Sequence, residues 1–293
     1  MGREEIAFRS GDADCAGWLY RPDAAGDSLA CVVLGHGFGA LKEARLDAYA
    51  ERLCGVGHVV LVFDYRHFGA SGGEPRQLLD VGRQHQDWRA AIAHARALEG
   101  VDPERIALWG SSYGGGHVIA IAASDGRVRA AVAQAPHTDG IATLRAVGAP
   151  DIIRLTAAGI RDLAGSLVGR RPYLIPIVGP PGTLAAMNSP DAEPGYRALY
   201  PPGFEWRNQV GARAVLRVGT YSPGRRAKDV GCPLLVQIAT EDAVTPPGPA
   251  TRVAERAPRG ELRSYPCRHF DIYVGELFER AVADQVDFLE RHL

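Results

Sequence analysis

The feature that most restricts how this chain can fold is a repeated alternation of short, continuous apolar runs with stretches of helical length. Residues 30–34 read ACVVL, 58–63 HVVLVF, 105–109 RIALW, 128–133 VRAAVA and 233–239 PLLVQIA. A run without polar interruption suits a strand covered on both faces, because a strand with one wet face would alternate. Between these runs, helices are expected near 41–55, 76–98, 113–123, 247–256 and 275–292, with a last strand at 261–265. The 76–98 helix carries apolar positions at Leu78, Val81, Trp88, Ile92 and Ala95, and Asp102-Pro103 is expected to stop the segment before the next strand. Residues 3–9 and 14–20 read as a leading hairpin. Such alternation implies βαβ units, hence an α/β protein with a mostly parallel sheet and helices on both faces.

The rhythm breaks between 136 and 228, where Pro172, Pro176, Pro180, Pro181, Pro190, Pro194, Pro201 and Pro202 crowd among short helical patterns. A segment of about 90 residues is too long for a structureless loop in a compact domain. The chain therefore divides into a core, 1–135 and 229–293, and an inserted cap, 136–228. Apolar runs at 174–178 (LIPIV) and 204–206 (FEW) place Ile175 and Trp206 as candidate substrate-binding residues. A homodimer interface or surface arm is the alternative use for this segment.

Residues 110–114, GSSYG, fit G-x-S-x-G, with an apolar strand before them and a helix of small residues after. A serine at the tip of a tight strand-to-helix turn is exposed above the sheet, and the flanking glycines leave room for that turn. The register selects Ser112, because Ser111 has no glycine two residues before it. Serine needs a base, and the base an orienting acid. In the order required for such a sheet, Asp242 follows one apolar strand and His269 follows the next. Glu241 is a less well aimed acid, and Asp271 stands too near the histidine in sequence to reach its other ring nitrogen.

Residues 35–40, GHGFGA, match G-x-G-x-x-A, with Asp64 downstream as in a dinucleotide fingerprint. A Rossmann unit normally opens its domain, whereas two strands precede this one, so no cofactor is expected. The loop suits an oxyanion hole better: it would bring the backbone N–H of Phe38 beside that of Tyr113, each donor worth ~3 kcal/mol. His36 is expected to fix the loop and take no proton, and Asp64 and Arg66 to hold it by local hydrogen bonds.

Bulk properties exclude other classes. The net charge is −1 with no basic run, so neither nucleic acid nor a membrane surface is an expected partner. Five scattered cysteines without a CxxC pair indicate neither a disulfide framework nor zinc, and no HExxH or phosphate loop occurs. Residues 1–8 are charged and lack the apolar centre of a signal peptide, so a cytoplasmic location is expected.

Together, 35–37 (GHG), 64–66 (DYR) with 69–73 (GASGG), 110–114, Asp242 with Pro246, and 269–270 (HF) resemble the α/β-hydrolase superfamily, most closely its bacterial cap-bearing esterases, dienelactone-hydrolase-like proteins and related serine peptidases. The resemblance spans about 30 to 270 and departs at Ala239, where a glycine often ends the acid-bearing strand. It implies the α/β-hydrolase fold, with an eight-stranded sheet antiparallel at its second strand, and acyl transfer to water without a cofactor. The expected function is hydrolysis of a small-molecule carboxylic ester or thioester, with Ser112 attacking and His269 shuttling its proton. Amidase or peptidase, acyltransferase and carbon–carbon hydrolase chemistry share that triad, and a non-catalytic receptor is the reading from another class.

Overall fold

The computed structural model describes residues 2–23 and 28–293. The leading hairpin is β1 (Gly2–Ser10) with β2 (Ala13–Arg21), followed by β3 (Leu29–Gly35), α1 (Leu46–Gly55), β4 (Val59–Phe63), α2 (Val81–Arg96), β5 (Val101–Ser111), α3 (Tyr113–Ala122) and β6 (Ala130–Gln134). The chain then leaves the sheet for α4 (Gly140–Ala146), α5 (Ala149–Leu167), β7 (Leu174–Ile175), α6 (Ala192–Arg197), β8 (Val210–Gly211) and α7 (Val215–Val218). It returns with β9 (Leu234–Ala239), α8 (Pro247–Arg256), β10 (Gly260–Tyr265) and α9 (Gly275–His292). Eight strands form one sheet in the order β1-β2-β4-β3-β5-β6-β9-β10, and β7 pairs separately with β8. In the eight-stranded sheet, β2 runs antiparallel to both its neighbours and every other pair is parallel, whereas β7 and β8 pair antiparallel.

The apolar runs become the sheet's centre, where all five residues of β4 and all six of β9 are buried. Two glutamines stand on these central strands. Gln285 of α9 donates to Gln134 at 2.9 Å and to Gln237 at 2.6 Å, and accepts from the Trp109 indole at 3.0 Å. A fully paired buried network of this kind removes the desolvation cost and locks α9 to one register.

Several boundaries differ from the sequence reading. The second helix starts at Val81, five residues later than its apolar pattern, because Asp80 caps it by accepting from the Arg83 N–H at 2.9 Å. The first helix starts at Leu46, after Arg45 in a left-handed conformation (φ 64°). Strand β5 begins at Val101 and contains Pro103, which lies where the pairing with β3 shifts register, between the Leu29–Val101 and Cys31–Ile106 pairs. The segment 136–228 contains a 19-residue helix, α5, where only short helical pieces were expected. All five cysteines are free and buried. Among the described residues, no helix is long and apolar enough to cross a membrane.

Candidate active site

Parallel strands place the loops at their C-terminal ends on one edge, where α/β sheets carry their sites. Ser112 sits between the end of β5 and the first turn of α3, with φ 56° and ψ −121°. This is a sparsely populated conformation for a residue with a side chain, costing on the order of 1–3 kcal/mol. The end of β6 and the chain just past it hold it there: the Ser112 N–H donates to Gln134 O at 2.9 Å, and its carbonyl accepts from His137 N–H at 2.9 Å. The turn is possible only with glycine on both sides. A Cβ on Gly110 would lie 2.4 Å from the Gly114 carbonyl oxygen, and one on Gly114 would lie 2.4 Å from that of His36.

The three residues selected from sequence meet. Ser112 Oγ lies 3.1 Å from His269 Nε2, and His269 Nδ1 lies 2.6 Å from Asp242 Oδ2. The Asp242 carboxylate is further fixed by its own turn. Its Oδ1 accepts from the backbone N–H of Val244 and of Thr245, each at 2.7 Å, and its Oδ2 from the Thr245 hydroxyl at 2.8 Å. Sequence reasoning passed over Thr245, although its place three residues after Asp242 is the spacing of a side-chain-to-backbone turn. Glu241 is exposed, and the Asp271 carboxylate faces Arg268 at 3.1 Å. Ser111 points away into the core, hydrogen-bonded to the Tyr273 hydroxyl.

The 35–40 loop abuts the turn, so that a Cβ on Gly37 would stand 3.0 Å from Ser112 Cβ. Among the described residues, no acceptor meets the backbone N–H of Phe38 or of Tyr113. Two free donors beside a serine hydroxyl can receive an oxyanion. His36 is buried, and burial pushes its pKa down to about 4, so it stays neutral; its Nδ1 lies 3.0 Å from Gly37 O. Asp64 does hold the chain just beyond this loop, accepting from Lys42 N–H at 2.8 Å and from its ammonium at 3.1 Å. Arg66 does not. Its guanidinium turns to Asp87 of α2 at 2.5 Å and Asp12 of the hairpin turn at 2.9 Å, because α2 presents a buried carboxylate that needs a partner.

A cavity of about 350 Å³ opens beside Ser112. Its wall is mainly apolar and comes largely from the inserted segment, including Leu144, Val147, Ile152, Leu155, Val215 and Val218. Ile175 and Trp206 are not on that wall. Ile175 is buried in β7, and Trp206 stacks on Tyr200 (ring centroids 5.3 Å apart) and tilts against Tyr196 (4.8 Å). Those tyrosines in turn hold the 35–41 loop: Tyr196 donates to Phe38 O at 2.9 Å, and Tyr200 accepts from Leu41 N–H at 3.2 Å. No local pattern could have found these contacts, since the partners lie 158 and 159 residues apart. Among the described residues, no cluster of His, Cys, Asp or Glu could hold a metal ion.

The chain is 44% identical over 98% of its length to the quorum-quenching protein AidA of Acinetobacter baumannii (strain MDR-ZJ06), covering 94% of that protein. It is 29% identical to the thiohydrolase aneE of Aspergillus aculeatus, with 98% of this chain and 92% of that one aligned. Its structure superposes on the crystal structure of the alpha/beta hydrolase GrgF from Penicillium sp. sh18 with a TM-score of 0.85, at 26% identity, covering 100% of this chain and 99% of that one. Residues 26–270 match the family described as serine aminopeptidase, S33, and the chain belongs to that family of α/β hydrolases.

Proposed function

We propose that the protein is a serine hydrolase that cleaves a small-molecule carboxylic ester or thioester through an acyl-enzyme on Ser112. The observation that carries this reading is the continuous relay from Asp242 Oδ2 through His269 to Ser112 Oγ, at 2.6 and 3.1 Å. His269 takes the serine proton as Oγ attacks the carbonyl carbon, and Asp242 holds the imidazole in the tautomer that can accept it. The tetrahedral oxyanion is received by the Phe38 and Tyr113 N–H groups. His269 then protonates the leaving oxygen or sulfur, and water, activated by the same histidine, releases the acid.

Segment 136–228 acts as a cap. It supplies most of the apolar wall beside Ser112, which excludes water and selects the acyl group by fit. The family description would favour an aminopeptidase, but that activity needs an anionic anchor for the substrate's ammonium group. The cavity's wall carries no carboxylate among the described residues, which supports an apolar acyl substrate instead. The names of the Acinetobacter and Aspergillus relatives, a quorum-quenching protein and a thiohydrolase, support a small signal molecule or an acyl ester or thioester as the substrate class.

The test is labelling with a fluorophosphonate probe followed by peptide mass spectrometry. One adduct, on Ser112, is expected, and it disappears in Ser112→Ala while persisting in Ser111→Ala. A label that survives Ser112→Ala refutes the assignment. Loss of the serine should cost on the order of 10⁴- to 10⁶-fold in kcat.

A further inference from the structure

Two cavities meet at Ser112, and they differ in size by more than tenfold. The larger, of about 350 Å³, runs under α4, α5 and α7; the smaller, of about 20 Å³, lies between the 35–40 loop and α6. Both are bounded by Phe38, Ser112 and Met187, but His269 borders only the small one. The proton that His269 takes from Ser112 must pass to the leaving atom, which therefore has to sit within ~2.6–3.2 Å of Nε2. That requirement puts the leaving group on the His269 side of the serine and the acyl group on the other.

The small side is closely packed around the histidine. His269, Phe270, Tyr196 and Leu199 are all buried, and α6 lies so close that a Cβ on Gly195 would stand 2.6 Å from the Phe270 ring. Its volume is that of one or two water-sized spheres, each ~10–15 Å³.

From this geometry we infer that the substrate is an ester joining a bulky, apolar acyl group to a leaving group of one or two heavy atoms beyond the ester oxygen. The inference rests on the serine hydrolase reading above. In the first step the Ser112 Oγ–acyl bond forms, the acyl–oxygen bond breaks, and the proton carried by His269 leaves with the small alcohol. In the second, water enters the space that alcohol vacated and gives a proton to His269 as its oxygen bonds to the acyl carbon; the Ser112 Oγ–acyl bond then breaks, Oγ takes the proton from His269, and the acid leaves. Because the attacking group uses the same side, the small hollow admits water and excludes long acceptors and long thiol arms. Hydrolysis is thus favoured over transfer.

The experiment is a pair of ester series assayed by pH-stat titration on the full chain, beside fluorophosphonate labelling. In methyl esters, kcat/KM should rise at least about tenfold from acetate to octanoate, as each added methylene finds apolar wall. In octanoate esters, it should fall at least about tenfold from the methyl to the octyl alcohol. Leu199→Ala, which widens the small hollow, should restore part of the rate on butyl octanoate. Labelled Ser112 with rates that are flat or rise along the alcohol series would overturn the size partition alone. Absence of both labelling and turnover would overturn the serine hydrolase reading beneath it.

Discussion

Replacing Asp242 by asparagine changes one atom in a turn that dictates how the new side chain must lie. The Oδ1 position faces two backbone N–H donors, from Val244 and Thr245, each 2.7 Å away. If the amide nitrogen took that place, two buried hydrogen bonds would be lost at ~1–3 kcal/mol each, and donors would face donors. The asparagine oxygen therefore stays on the backbone side, and its NH₂ group points at His269 Nδ1. An imidazole that accepts at Nδ1 carries its proton on Nε2, 3.1 Å from Ser112 Oγ, and cannot accept another. We expect kcat on methyl octanoate to fall about 10⁴-fold, or ~5.4 kcal/mol of barrier at 1.36 kcal/mol per decade. Because the turn's backbone hydrogen bonds survive, the thermal midpoint should stay within a few degrees of the parent. Asp242→Ala, which loses those bonds as well, should lower both activity and midpoint. An Asp242→Asn enzyme within tenfold of the parent would refute the reasoning. So would a loss of this size in Glu241→Gln, whose side chain is exposed.

Two further predictions test the surroundings. Gly114→Ala forces a Cβ to within 2.4 Å of the His36 carbonyl and 2.7 Å of that of Gly35, so the loop bearing the Phe38 N–H must move. Turnover should drop about 10²-fold or more and the thermal midpoint by several degrees, whereas unchanged kinetics would show that this contact does not position the oxyanion donors. Burial pushes the pKa values of His36, His85 and His137 down from 6.5 to about 4. A group that binds its proton more weakly when folded contributes stability that is present above pH 6.5 and lost as pH falls towards 4. By urea titration, unfolding free energy should therefore fall between pH 7.5 and 5 by up to about 2 kcal/mol per histidine. A stability curve that is flat over this window contradicts the burial of neutral histidines.

The core elements were legible because their signals are local. A strand buried on both faces needs an unbroken apolar run, and the runs at 30–34, 58–63 and 233–239 became β3, β4 and β9 within a residue or two. The 110–114 motif could be read because a serine with φ 56° demands glycine neighbours within two positions. Asp242 and His269 could be proposed because each strand end in such a sheet delivers its loop to the same edge.

Other features depend on partners remote in sequence. That Arg66 serves Asp87 and not the 35–40 loop follows from where α2 packs, which no spacing near residue 66 encodes. The apolar runs at 174–178 and 204–206 showed that Ile175 and Trp206 would be buried, but not against what. Apolarity specifies removal from water and leaves the direction open. Tertiary packing set Ile175 into β7 and Trp206 behind the tyrosines that hold the Phe38 loop, while α4, α5 and α7 formed the wall beside Ser112. The two unequal cavities at the serine were likewise beyond reach of the sequence. A volume is the space left over by residues from six or more separate segments, and only their mutual placement decides it.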